Sequence, residues 1–228
     1  MKDKNKLIEK IEDVTLIREE FTSMKNASLL KEYFELQGVH SNTNSSKPGY
    51  RLIIGESPYN KTKEVVTSNN KEYVPFNKEV AFLCDTFKAP LFFVFSILFG
   101  SHDRAKDFIN YVYNNAIPMS DVAEWLLAYQ RILLVNRNDV THHMKYTNSI
   151  INLIKNKSIN RVLILGNDPT KTSKKLLKFL TMNAIQYEQI VHPSPRAYAR
   201  KVPDWCELYL NLNDSSLTRV KYSDFRIK

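Results

Sequence analysis

The stretch "RLIIGESPYN", Arg51 to Asn60, runs apolar and β-branched up to Gly55 and then drops at once into a polar turn. The same design recurs in "RVLILGNDPT", Arg161 to Thr170, which ends on Gly166. The chain has only five glycines in 228 residues. Two of them close apolar runs and are followed by x-x-Pro, a pattern that marks strand exits where backbone must approach something closely. Two further runs end comparably. "RILLVN", Arg131 to Asn136, stops on an amide, and the strand in "YEQIVHPSP" stops in a turn bracketed by Pro193 and Pro195.

Between these four strands the periodicity is helical. "LIEKIEDVTLIREEF" and "SLLKEYFELQ" are amphipathic, and Val80 to Phe99 is apolar at helical spacing. "SHDRAKDFINYVYNNA", "SDVAEWLLAYQ", "KYTNSIINLIKNK" and "TSKKLLKFLTMNAI" each predict a helix. A start at Ser120-Asp121 with Glu124 following reads as an N-terminal cap. "DWCELYLNL" predicts a last helix, followed by a basic tail. Strands alternating with helices imply βαβ units. The expected fold is therefore α/β, three layers in α/β/α order, with a central four-stranded parallel sheet. A single domain over 1–228 is expected, with 1–45 as a helical extension packed on it. In such sheets ligands bind beyond the carboxyl ends of the strands. The ends at Gly55, Asn136 and His192 are expected to converge on one cleft.

Composition narrows the partners. Net charge is +9 and the pI about 9.4. An excess of Lys and Arg is the footprint of a polyanion partner, although a compositionally biased genome also enriches lysine. Two cysteines, Cys84 and Cys206, make neither a disulfide framework nor a four-cysteine metal site. Met1 to Ile11 has no apolar leader, and "APLFFVFSILFG" at Ala89–Gly100 is too short to span a bilayer. The expectation is a cytoplasmic monomer with no membrane contact, no metal and no cofactor. "GNDPTKTS" lacks the glycine spacing of a phosphate-binding loop. His142 and His143 beside Asp139 lack spaced partner ligands for a metal.

Four segments in order resemble the motifs of the uracil-DNA glycosylase superfamily. "IIGESPYN" is similar to the first motif, Gly-Gln-Asp-Pro-Tyr-His in the best-known branch and Gly-Glu-Ala-Pro-Gly in the iron–sulfur branch. "ILLVNRNDVT" resembles Leu-Leu-Leu-Asn-x-x-Leu-Thr. "VLILGNDPTK" is similar to the strand before the last motif, and "VHPSPRAYAR" resembles His-Pro-Ser-Pro-Leu-Ser. The resemblance covers roughly Arg51 to Arg200. It implies an enzyme that flips uracil out of single- or double-stranded DNA and cuts its bond to the sugar.

It also implies roles. His192 stabilises charge on the departing base, Asn136 reads the base edge, and Tyr59 excludes a C5 methyl. Phe76 stacks on the base. Pro58, Asn60, Pro193 and Ser194 lie along the DNA, Arg196 falls where the family often has an apolar wedge, and Tyr198 and Arg200 beside it are placed to stack or to contact phosphates. Ser57 stands where the best-known branch has its aspartate, and Asn60 replaces that branch's supporting histidine. A serine carries no charge at neutral pH, so Glu56 together with Ser57 is left to orient water. The cysteines of the iron–sulfur branch are missing. Two further readings stay open. One is a base-binding module with weak or no catalysis. The other is a small-molecule enzyme on a similar sheet.

Overall fold

The computed structural model describes residues 26–39, 49–55, 89–136, 147–156, 158–166, 173–190 and 222–227. In chain order the elements are α1 (Ala27–Leu36), β1 (Tyr50–Gly55), α2 (Ala89–Phe99), α3 (His102–Asn114), α4 (Met119–Gln130), β2 (Ile132–Asn136), α5 (Thr147–Asn156), β3 (Ile159–Leu165), α6 (Lys174–Met182) and β4 (Gln186–Ile190). A 3-10 turn at Tyr222–Phe225 follows.

All pairings are parallel and the strand order is β2-β1-β3-β4. β1 and β2 are buried along their whole length, and β3 from Val162 onward. That is why their sequences read as continuous apolar runs: helices cover both faces, so no position alternates to water. β4, "QYEQI", is the polar and half-buried strand at one side of the sheet.

Period-two alternation splits the strand residues between two cores. Ile53, Ile132, Leu134, Leu163 and Leu165 face α1, α2, α3 and α4. Leu52, Ile54, Leu133, Val135, Val162 and Ile164 face α5 and α6. The helix, sheet, helix layering expected from the sequence is present. β3 carries one irregularity. Tyr50 pairs with Ile159 and Arg51 with Arg161, leaving Asn160 over. This bulge lets Ile159 and Val162 share a face although they are three residues apart.

α2 is apolar all round because it is enclosed all round; Phe93 to Leu98 are fully buried. α3 instead buries one stripe, Ala105, Phe108, Ile109 and Val112, and Ser101 caps it by accepting from the Arg104 amide at 3.3 Å. α1 docks on this layer. Phe34 stacks on Trp125 with ring centres 3.5 Å apart, Tyr111 donates to the Leu29 carbonyl, and Asn26 donates to the Asp121 carboxylate at 3.0 Å.

Three local expectations are corrected. α4 starts after Pro118, not at Ser120, and no side chain caps it. Asp121 is drawn instead to Asn26, and the fixed φ of Pro118 sets up the first turn. Arg131 is not in β2; it closes α4 in the left-handed region at φ 51°. The basic tail is held to the body at its described end, 222–227. Phe225 is fully buried, and the Ile227 amide donates to the Leu98 carbonyl at 2.8 Å. The expected helices at 7–21 and 204–212 lie outside the described residues, as do 1–25 of the expected extension. Among the described residues no helix is long and apolar enough to cross a membrane.

Candidate functional site at the carboxyl edge of the sheet

Every strand being parallel, the ends at Gly55, Asn136, Leu165 and Ile190 share one edge. Where on that edge a ligand fits follows from the connections. β1 leads to β2 through α2, α3 and α4 on one face. The chain then passes through α5 on the other face to reach β3, and through α6 on that same face to reach β4. A reversal of direction matched by a change of face is what crossovers of constant hand require. The helices that follow the neighbouring strands β1 and β3 therefore lie on opposite faces. In open α/β sheets the carboxyl ends of two such strands form the switch point at which ligands bind. The last described residues there are Gly55 and Gly166.

Gly166 sits at φ 120°, a conformation only glycine adopts without strain. Its amide donates to the Ile190 carbonyl at 2.7 Å, continuing the ladder one residue past β3. Its own carbonyl accepts from Gln189 Nε2 at 2.7 Å. Both polar groups of Gly166 are thus held by β4 at the carboxyl edge. Gln189 was not singled out by the sequence; an amide in a polar edge strand has no signature of this kind.

Asn136 stands one strand away. It is the register partner of Gly55 and only 3 % exposed. Alternation from Ile132 and Leu134 puts it on the α1–α4 face. A buried amide must be hydrogen-bonded, and it carries both an acceptor and a donor to aim. Neighbouring strands are about 4.8 Å apart, so Asn136 lies beside Gly55, with β1 between it and the switch point. The end of β4 is farther, two strands or roughly 10 Å from Gly55. The three ends expected to converge thus share an edge, but only Gly55 and Asn136 are adjacent. β3 stands between Gly55 and the strand that leads to His192.

Of the residues proposed for function, Asn136 is the one among the described residues. Glu56, Ser57, Pro58, Tyr59, Asn60, Phe76, His192, Pro193, Ser194, Arg196, Tyr198 and Arg200 lie outside them. By chain connectivity Glu56 follows Gly55 directly, and His192 is two residues past Ile190.

Displaced pKa values occur away from this edge. At the amino end of β1, burial pushes the Arg51 guanidinium down to about 10, opposed by the nearby Asp224 carboxylate. It remains charged at neutral pH and donates to the carbonyls of Gln130, Asp224 and Arg226. Between α1 and α3, burial raises the Tyr33 phenol to about 12, with Asp107 adding to it. Among the described residues no three His, Cys, Asp or Glu side chains come together to hold a metal ion.

Compared with known proteins, the chain matches no family model, no curated protein and no solved structure.

Proposed function

We propose that this chain is a DNA glycosylase that takes uracil out of DNA and hydrolyses its N-glycosidic bond, leaving an abasic site. The observation that carries the reading is the buried amide of Asn136 in register with Gly55, at the carboxyl edge of an all-parallel sheet. The motif resemblance assigns base reading to that residue, and a buried amide at a strand end suits it chemically. Uracil presents a neighbouring N–H and C=O, and one carboxamide pairs with both.

The chemistry needs little more than orientation and charge stabilisation. The bond from C1′ to the base nitrogen breaks, its electron pair leaves with the base, and the sugar becomes oxocarbenium-like. A water oxygen then bonds to C1′ and releases a proton, while the base anion takes one up. His192 is assigned to the developing charge on the base oxygen. A preorganised donor of this kind contributes about 3–4 kcal/mol. Glu56 and Ser57 are assigned to the water, and Tyr59 to rejection of thymine. No cofactor is needed for these steps.

Ser57 and Asn60 favour a second reading, a module of the same fold that binds the base without cleaving it. One experiment separates the two. A labelled oligonucleotide with a single uracil is incubated with excess protein and then treated with hot alkali, with His192→Ala in parallel. Uracil-dependent scission that disappears in the variant is expected. No scission over hours, with salt-sensitive binding retained, leaves the binding module.

A further inference from the structure

The two faces of the sheet differ in charge. On the α1–α4 face the exposed acids Glu32, Glu35, Asp103 and Asp107 interleave with Lys31, Arg104 and Lys106, and Glu124 adds to them on α4. On the other face, α5 and α6 carry Lys155, Lys174, Lys175 and Lys178 and no acidic residue at all. All four lysines are exposed. Their spacing works against the helix. Lys174 and Lys178 are four apart, and Lys175 and Lys178 three apart, separations at which like charges repel. Helix stability therefore does not account for them.

The ammonium groups are also positioned. Lys175 Nζ donates to Asn148 Oδ1 at 2.8 Å, joining the first turns of α6 and α5, and Lys155 Nζ lies 5.7 Å from the centre of the Phe179 ring. Neither contact neutralises a charge. Both helices begin at the carboxyl edge of the sheet, so their dipoles bring further positive potential to the end where Lys174 and Lys175 stand. Lys178 continues the row about 6 Å along α6.

We infer that the α5/α6 face is a track for the phosphate backbone of a nucleic acid, running from the carboxyl edge of the sheet along α6. The inference rests on the proposed reading of that edge only for what lies at the end of the track. Contacts of this kind position the strand without reading its sequence, and each phosphate neutralised releases counterions.

The test uses the full chain and a variant with Lys155→Gln, Lys174→Gln, Lys175→Gln and Lys178→Gln. A second variant, Lys31→Gln with Lys106→Gln, alters the opposite face. Both are checked by thermal melting, where the first is expected to melt no lower than the parent because like-charge repulsion is relieved. Binding of a fluorescent oligonucleotide without uracil is followed by anisotropy across a salt series. The four-lysine variant is expected to bind at least tenfold more weakly at 0.1 M salt. Its log–log salt slope should be shallower by about 3, given four lysines at roughly 0.7–0.9 per phosphate. The opposite-face variant should follow the parent.

Unchanged affinity and slope in the four-lysine variant would overturn the track, as would an equal loss in the opposite-face variant. Lysine-dependent binding to anionic lipid vesicles without binding to the oligonucleotide would overturn it too. Lysine-dependent oligonucleotide binding with no uracil release upholds the track and removes the glycosylase. Uracil release with binding unaffected by the four substitutions removes the track alone.

Discussion

The paired strands β1 and β2 place a polar side chain inside the fold at opposite edges of the sheet, Arg51 at the amino edge and Asn136 at the carboxyl edge. At the amino end Arg51 is buried in an otherwise apolar layer, its guanidinium answered by backbone carbonyls from the end of α4 and from the C-terminal turn. All three acceptors belong to segments that this contact fastens together. At the carboxyl end the buried polar residue is Asn136, on the same face of the sheet and in register with Gly55. It stands at the carboxyl edge of the sheet, one strand from the boundary between β1 and β3. Burial alone does not distinguish a structural polar group from a functional one. The position of the group relative to the direction of the strands does.

Substitutions sharpen the contrast. The largest stability effect is expected at the amino end. Arg51→Met leaves three carbonyls without their donor and unties the C-terminal turn, a loss of about 3 kcal/mol at typical costs for buried unpaired groups. In a chain of this size that lowers the melting temperature by roughly 6–12 °C. Thermal melting checks it, and the single-turnover rate of uracil release per folded molecule should be unchanged. A variant that melts normally would break the contrast from one side.

A smaller effect is expected at the switch point itself. Gly166→Ala forces a side chain into φ 120°, which costs about 1–3 kcal/mol. Because this peptide lies at the switch point, the variant should also weaken oligonucleotide binding, read by anisotropy on protein held well below its melting point. Intact binding would separate Gly166 from the site.

The smallest effect is expected at Tyr33, away from both ends. Its hydroxyl is buried with no hydrogen-bond partner among the described residues. Tyr33→Phe removes that group and should be neutral or stabilising by up to about 1 kcal/mol in denaturant titration. The alkaline limb adds a sign. Because the phenol is raised to about 12 in the folded chain, the unfolded chain ionises first, near pH 10. The contribution of Tyr33 is fully present below pH 10 and is lost as pH rises toward 12. Urea midpoints between pH 9 and 11.5 should therefore fall less steeply in Tyr33→Phe than in the parent.

Much of this architecture was legible in the residues. "YRLIIG", "ILLVN" and "RVLIL" announce doubly covered strands because nothing in them needs water. "KKLLKFLTM" announces a helix because its apolar residues recur every three or four positions. The strand order was not legible, since pairing between Gly55 and Asn136 is a contact across eighty residues that no local pattern records. The C-terminal turn was missed for a related reason. Phe225 and Ile227 are two apolar residues in a basic segment, too few to set a period, and their burial depends on the α2 carbonyl and the Arg51 guanidinium that wait for them. Ser120 was misread as a cap because a side-chain pattern cannot show that Asp121 is already engaged by Asn26. In the candidate site, Asn136 and the two glycines stand where their strands put them. The separation of β4 from β1 by a whole strand required the sheet itself.

The most direct test of the contrast is single-turnover uracil release by Asn136→Ala beside the parent chain, with melting curves taken on the same samples. The expected result is a rate at least 100-fold lower with a melting temperature within a few degrees of the parent, the loss typical of one removed transition-state donor. A variant that releases uracil at the parent rate would contradict the assignment of the carboxyl edge. So would a variant that fails only because it no longer folds, since Asn136 would then be structural in the way Arg51 is.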